Sequence, residues 1–175
     1  MNRQKRVLAI HDISCIGKCS LTVAIPIISA AELECAVIPT AVLSTHTGEF
    51  TGYTFRDLTD DIEPIYEHWR SFGIGFDAIY TGYLGSAKQI SLVRSIIDTF
   101  GGEGKTVFVD PVMADAGRLY ANFDMAFVSE MRSLCAEADV ITPNLTEAAF
   151  LLGGEYRESG YGEEYIKETL GALCE

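Results

Sequence analysis

The sequence is poor in basic residues. It has 13 lysines and arginines against 25 aspartates and glutamates in 175 residues, which gives a formal net charge of −12. Because no basic run offers a surface to phosphate backbones or anionic headgroups, we expect no nucleic-acid partner and no membrane association. With 48% hydrophobic and 22% charged residues, the chain does not have the composition of a disordered segment. The length suits one compact domain with a sizeable core.

The sequence also lacks paired cysteine motifs and a secretory leader. Its five cysteines form no Cys-x-x-Cys pair, and the first residues run into a short apolar segment without a cleavage pattern. We therefore expect free thiols in the reducing cytoplasm. Cys15 and Cys19 are four residues apart, but His11 is the one other soft ligand close to them in sequence. A metal site there is the weaker interpretation.

One largely apolar stretch, residues 21–43, is long enough to cross a bilayer. It contains Glu32, Glu34, Pro26 and Pro39, which are costly in a membrane helix or disrupt it. The stretch is therefore predicted to form a buried helix followed by a buried strand.

Apolar runs and helical spacings alternate along the rest of the chain. Strands are predicted at residues 6–10, 35–39, 77–80, 106–109 and 139–142. Helices are predicted at residues 18–31, 55–72, 86–100, 123–136, 145–152 and 163–173. Strands that alternate with helices need right-handed crossovers, which build a parallel sheet. The predicted fold class is α/β, a doubly wound, mainly parallel sheet with helices on both faces. No repeat, low-complexity tract or linker divides residues 1–175.

Polar residues follow each predicted strand. In a doubly wound sheet, ligands bind outside the carboxyl ends of the strands. The polar groups at these ends are Asp12, residues 44–48 (Ser-Thr-His-Thr-Gly), residues 81–83 (Thr-Gly-Tyr), Asp110 and residues 142–144 (Thr-Pro-Asn). Because five strand ends offer polar groups to one edge, the sequence predicts a binding crevice there.

Two acidic residues at this edge have two interpretations each. Asp110 directly follows a strand and could cap the next segment, and Glu147 completes an Asn-x-x-Glu capping box with Asn144. Alternatively, Asp110 and Glu147 face one Mg²⁺ through waters, beside the phosphates of a nucleotide. The second interpretation also allows an acidic chain to bind a polyphosphate as its magnesium complex.

Two loops at the same edge suit a small ring compound. The hydroxyl-rich loop 44–48 can hydrogen-bond a polar ring, and its His46 is either an acid–base group or a structural residue. Tyr83 lies between two glycines at a strand-to-helix turn, where it either walls a pocket for an aromatic ligand or belongs to the core.

Five segments carry a resemblance to a known family. Residues 8–10 (Leu-Ala-Ile), 44–48, 81–86 (Thr-Gly-Tyr-Leu-Gly-Ser), 110–113 (Asp-Pro-Val-Met) and 142–147 (Thr-Pro-Asn-Leu-Thr-Glu) occur in a characteristic order and spacing. In both respects the sequence resembles the pyridoxal/pyridoxamine kinases of the ribokinase-like superfamily. The resemblance implies ATP-dependent phosphorylation of the 5′-hydroxyl of pyridoxal, pyridoxine or pyridoxamine, with Mg²⁺, by a cytoplasmic enzyme that is a homodimer when intact.

The resemblance also assigns roles to individual residues. Asp12, Thr47 and Gly48 fall where the family holds its substrate, with Tyr83 near the ring. The positions on the nucleotide and magnesium side are Asp110, Thr142, Asn144 and Glu147, of which Asp110 and Glu147 are the metal-side carboxylates.

The sequence departs from the family in two ways. Many pyridoxal kinases have serine where this chain has Asp12, and pyrimidine kinases often have aspartate nearby, so a hydroxymethylpyrimidine (phosphate) kinase is an alternative. The family's catalytic aspartate lies in a Gly-x-Gly-Asp element, which we expect beyond residue 175. Residues 160–163 (Gly-Tyr-Gly-Glu) imitate that element but come too early and open a polar helix.

The second departure leaves two classes of function open. We expect residues 1–175 to be roughly the first three-fifths of a ribokinase-like domain, without its anion hole and adenine-binding part, and inactive alone. The apolar end at residues 172–175, which has no glycine stop signal, favours this fragment interpretation. The other class is a non-catalytic module that binds pyridoxal.

Overall fold

The computed structural model describes residues 4–47 and 50–174. Gly48, one of the predicted substrate-binding residues, lies outside the described residues. The elements, in chain order, are β1 (Arg6–Ser14), α1 (Leu21–Ala30), β2 (Glu34–Leu43), β3 (Phe55–Asp57), α2 (Thr59–Ser71), β4 (Ala78–Thr81), α3 (Ala87–Phe100), β5 (Thr106–Val109), β6 (Ala114–Asp115), β7 (Arg118–Leu119), α4 (Met125–Cys135), β8 (Val140–Ile141), α5 (Leu145–Leu152) and α6 (Glu163–Leu173).

The main sheet has six strands in the order β3-β2-β1-β4-β5-β8. The five strands from β2 to β8 are parallel to their neighbours, and β3 is antiparallel to β2 at the edge. A separate two-stranded ribbon pairs β6 with β7. The predicted α/β fold with a mainly parallel sheet is therefore confirmed.

One face of the sheet carries the main core. Alternate residues of the central strands, such as Leu8 in β1, Ile79 in β4 and Val109 in β5, are buried in a cluster with side chains of α2, α3 and α4. Ile62 of α2 and Ile90 of α3 are fully buried in that cluster. The residues between them on each strand point to the opposite face of the sheet, because successive side chains of a strand alternate between the two faces.

The opposite face is covered by α1, which packs on β1 and β2. Beyond α1, Tyr80 and Phe108 of β4 and β5 line an apolar groove of about 390 Å³ together with Ile27 and Ile28 of α1. Ile27 is 62% exposed. Helices thus pack on both faces, as predicted, but the second face is covered over only part of its width.

Several predicted boundaries were wrong. Residues 55–57 do not begin the second helix but form β3, and Phe55 is exposed instead of joining the helical apolar stripe. The Asp57 carboxylate accepts the backbone N–H of Thr59 at 2.7 Å, which separates the strand from α2. β1 also continues to Ser14, so Asp12 lies within a strand and not in a loop after it.

β1 and β2 both extend beyond their predicted ends because they pair with each other along the sheet. β1 and β2 remain paired as far as Ser14 opposite Leu43, with a register shift between His11 and Ile13. The ladder therefore carries β2 four residues past the predicted end at Pro39.

Among the described residues, no helix combines the length and apolar character needed to span a bilayer.

Candidate functional site

A cavity of about 360 Å³ opens at the carboxyl ends of β1, β2 and β4. This volume is within the range of small-molecule pockets in proteins. Three of the predicted substrate-binding residues line it, namely Asp12, Thr47 and Tyr83. Further lining residues are Ser14, Lys18, Cys19, Ser20, Leu43, His46, Val112 and Tyr120. The structure thus brings together residues that are far apart in sequence.

Asp12 is held in place by two hydroxyl groups. Its side chain accepts hydrogen bonds from Ser20 Oγ at 2.5 Å and Ser14 Oγ at 3.1 Å, and the residue is buried. Ser20 has a φ of 52°, a left-handed conformation that is uncommon for a non-glycine residue. Because each carboxylate oxygen has about two acceptor sites, Asp12 retains capacity to accept a hydrogen bond from a ligand in the cavity.

Tyr83 forms an aromatic wall of the cavity. Its ring centroid lies 5.8 Å from that of Phe123, and its hydroxyl hydrogen-bonds the side chain of Asn122. Burial, with the nearby charge of Asp12 as a second cause, raises the pKa of Tyr83, so the phenol stays protonated at neutral pH. A flat, half-buried ring beside a fixed carboxylate suits a polar aromatic ligand.

The residue before Tyr83 must be glycine. A Cβ atom on Gly82 would lie 2.0 Å from Nδ1 of His11. His11 is buried beneath this turn, with its ring centroid 4.4 Å from that of Tyr80. His11 therefore packs under the strand ends. This position does not support the weaker interpretation, in which His11 binds a metal together with Cys15 and Cys19.

His46 and Thr47 close another side of the cavity. Thr47 is exposed, and the His46 ring lies edge-on to Phe50 with centroids 5.1 Å apart. A Cβ atom on Gly17 would lie 2.8 Å from Cδ2 of His46. His46 therefore lines the cavity and also packs closely on the β1–α1 loop, and both predicted interpretations of it remain.

Asp110 does not line this cavity, whereas Val112 and Tyr120 from the segment after it do. The prediction that Asp12, Thr47, Tyr83 and Asp110 converge on one crevice is therefore wrong for Asp110, and the other three residues line the cavity. Asp110 is half-buried, and burial raises the pKa of its carboxyl group against the opposing effect of a hydrogen bond with Thr142. Asp110 and Thr142 are therefore direct neighbours, as their predicted roles on one side of the site require.

The capping box at the start of α5 is present. The Asn144 side chain accepts the N–H groups of Thr146 and Glu147 at 2.8 and 2.9 Å, and Glu147 accepts the Asn144 N–H at 2.9 Å. Glu147 also accepts the Met113 N–H at 3.1 Å, and Asn144 donates to the Ala114 carbonyl at 2.8 Å. These residues therefore join α5 to the chain that follows Asp110.

Asp110 and Glu147 interact electrostatically. Burial is the main cause that raises the pKa of Glu147, and the charge of Asp110 adds to it. No ion pair of the described residues involves either carboxylate. No group of three or more potential metal ligands occurs in that part of the chain either. The oxygen donors thus suit Mg²⁺ only if waters or a nucleotide complete its coordination.

Several cavity residues were missed at the sequence level. Lys18 and Ser20 reach the cavity from the β1–α1 loop, and Tyr120 reaches it from the position directly after β7. No local motif identifies them, since their position depends on how the loops fold over the strand ends. The segment 160–163 leads into α6, a helix of which no residue is buried.

The sheet order and the cavity together define an α/β protein with a candidate small-molecule site at the carboxyl ends of its parallel strands. Residues 27–174 match the family model described as phosphomethylpyrimidine kinase. The chain belongs to this family.

Solved structures support the fold. A Bacteroides thetaiotaomicron protein assigned as a phosphomethylpyrimidine kinase, crystallised with pyridoxal, is 47% identical with a TM-score of 0.93, over 98% of this chain and 59% of that chain. Pyridoxal kinase from Leishmania donovani, in complex with ADP and pyridoxamine, is 25% identical with a TM-score of 0.80, over 98% and 61% of the two chains.

A curated relative gives the same picture. A Schizosaccharomyces pombe protein assigned as a pyridoxal kinase is 29% identical over 160 residues, which are 87% of this chain and 50% of the relative. The chain thus spans about half the length of this relative.

Proposed function

We propose that this chain is the substrate-binding part of an ATP-dependent kinase that phosphorylates the 5′-hydroxyl of pyridoxal, pyridoxine or pyridoxamine. The observation that carries the proposal is the cavity of about 360 Å³ that joins Asp12, Thr47 and Tyr83. Asp12 and Thr47 supply polar contacts to ring substituents, and Tyr83 supplies an aromatic wall. The relative crystallised with pyridoxal, at 47% identity, supports this substrate class.

A hydroxymethylpyrimidine (phosphate) kinase is the second candidate. The matching family model is described as phosphomethylpyrimidine kinase, and Asp12 favours a ring with hydrogen-bond donors. Pyridoxal and hydroxymethylpyrimidine each present a hydroxymethyl group on a small aromatic ring, so contacts to the ring separate these two substrates. Hydroxymethylpyrimidine phosphate would accept the phosphoryl group on its phosphate instead.

The nucleotide side would consist of Asp110, Thr142, Asn144 and Glu147. When bound, Mg²⁺ would neutralise phosphate charge beside Asp110 and Glu147. Asp110 can face the hydration shell of the ion, because its hydrogen bond with Thr142 fixes the carboxylate at the strand end. Glu147 holds the chain at Met113, and its carboxyl group lies close enough to Asp110 for the two to interact electrostatically. The ADP complex of the Leishmania relative supports ATP as the phosphoryl donor.

The catalytic base and the anion hole would come from the part of the family fold that these 175 residues do not match. The apolar groove at Tyr80 and Phe108 supports an incomplete domain, because parallel sheets are normally covered on both faces. The cytoplasmic location and the homodimer of the intact protein rest on the family resemblance.

Binding is tested by calorimetric titration with pyridoxal. We expect saturable binding that weakens by roughly tenfold in Thr47→Val, since the variant keeps the shape but loses a hydroxyl contact. Equal binding by the variant would remove Thr47 from the site. Binding of hydroxymethylpyrimidine in preference to all three pyridoxal forms would favour the second candidate.

Phosphoryl transfer is tested by a coupled ADP-release assay with pyridoxal, ATP and Mg²⁺. Loss of one oxyanion-type donor costs about 10²–10³ in rate, and the site proposed for this chain includes neither an anion hole nor a base. We therefore expect no detectable turnover by residues 1–175, with the full-length Leishmania kinase as the positive control. Turnover that Glu163→Gln abolishes would instead place the catalytic base at Glu163, in the segment 160–163.

A further inference from the structure

A buried glutamine lies directly behind the cavity wall. Gln89, in the first turn of α3, is 1% exposed, and no part of it lines the cavity. Long polar side chains are seldom buried to this extent unless their hydrogen bonds are made within the protein. The partners of Gln89 therefore indicate what its burial achieves.

Gln89 connects three parts of the chain. Its Oε1 accepts the Gly85 N–H at 2.8 Å, and its Nε2 donates to the Thr40 carbonyl at 3.1 Å and to Thr59 Oγ1 at 2.9 Å. These contacts link the turn after β4, the strand β2 and the first turn of α2. Both the acceptor and the donor end of the amide are used.

The same network reaches Tyr83 by a second route. Thr40 is fully buried, and its hydroxyl donates to the Tyr83 carbonyl at 3.2 Å. The backbone of the turn is thus attached at both ends of the three-residue segment 83–85, to Thr40 at Tyr83 and to Gln89 at Gly85. The ring of Tyr83 needs this support, because Gly82 and Gly85 flank the turn and glycine leaves the backbone conformationally free.

We infer that Gln89 and Thr40 are positioning residues that hold the Tyr83 ring at the cavity wall, and that they set the affinity for an aromatic ligand without touching it. This inference rests on the proposed function. Substitution of either residue releases the turn, so the ring no longer occupies one fixed position. The ligand must then order the wall on binding, which weakens affinity.

The test compares three variants of this chain. Gln89→Met keeps the length of the side chain and loses its hydrogen bonds, and Thr40→Val removes only the contact with the Tyr83 carbonyl. Ile96→Val is the matched control, because Ile96 is a buried core residue of the same helix, and the change destabilises the fold without affecting the turn.

Two measurements are made on each variant. We expect the pyridoxal dissociation constant to rise roughly tenfold in Gln89→Met and about threefold or more in Thr40→Val, and to change by less than about twofold in Ile96→Val. We expect the Gly85 amide to exchange its hydrogen much faster in Gln89→Met than in Ile96→Val. If Gln89 only stabilised the fold, the pyridoxal dissociation constant and the Gly85 exchange rate would change equally in Gln89→Met and in a core variant of the same stability.

The outcomes separate this inference from the proposed function. Unchanged pyridoxal affinity in both Gln89→Met and Thr40→Val would overturn the inference, and so would unchanged Gly85 exchange in Gln89→Met. If Gln89→Met does not fold, Thr40→Val decides by the same affinity criterion. If the wild-type chain binds no pyridoxal, the proposed function fails, and Gly85 exchange still decides whether Gln89 holds the turn.

Discussion

Acid should destabilise this protein through His11. Burial lowers the pKa of His11 to about 4, from an ordinary value of about 6.5, and Nε2 of its ring has no hydrogen-bond partner among the described residues. The unfolded chain therefore binds a proton to this histidine at a pH where the folded chain does not. Stability contributed by the neutral ring is fully present above pH 6.5 and is lost as the pH falls toward 4.

The expected loss can be estimated from this shift. At about 1.36 kcal/mol per unit of pH, the fall from 6.5 to 5 removes about 2 kcal/mol of unfolding free energy. Asp110 and Glu147 act in the opposite direction, because burial raises the pKa of both carboxyl groups and the folded state then binds protons more readily. These opposing contributions are equal in wild type and variant, so a comparison of the two cancels them.

The assay is urea unfolding at pH 7 and pH 5, followed by the fluorescence of Trp69, the single tryptophan. Both values lie above the isoelectric point of about 4.6. We expect His11→Leu to lose about 2 kcal/mol less than wild type between the two pH values. An equal loss in both proteins would show that His11 is protonated normally in the folded state and would refute the reasoning.

Three further predictions concern single sites. Gly82→Ala should lower the free energy of unfolding by about 1–3 kcal/mol, because its Cβ would overlap the His11 ring, whereas Gly75→Ala, with nothing within 4 Å, should be near neutral in the same urea assay. Glu147→Ala should cost about 2–3 kcal/mol by thermal or urea unfolding, since a helix cap and a buried N–H lose their acceptor; a near-neutral result would contradict the capping role. In a kinase that contains this chain and is active, Asp110→Asn should raise the Mg²⁺–nucleotide requirement much more than the pyridoxal requirement, and an unchanged magnesium dependence would leave Asp110 with a structural role.

The strand positions were predictable because a buried parallel strand is a short apolar run, and few other secondary structures fit such a run. Thr106–Val109 and the helix Leu145–Leu152 have the predicted bounds, and the Asn144–Glu147 capping box is local enough to be recognised from its spacing. The edge strand Phe55–Asp57 was not recognised, because its three exposed residues gain their structure from pairing with β2 and not from their own pattern.

The alternation of strands and helices could be read from the local pattern of apolar residues, and it fixes the edge of the sheet where polar groups collect. Tertiary structure decided which of these groups share a cavity. Asp12, Thr47 and Tyr83 meet, whereas Asp110 stays beside Thr142 and Glu147, because loop paths and side-chain directions at the strand ends depend on contacts distant in sequence. The same holds for Gln89, whose partners lie as far as 49 residues away, so its role follows from packing and from no local motif.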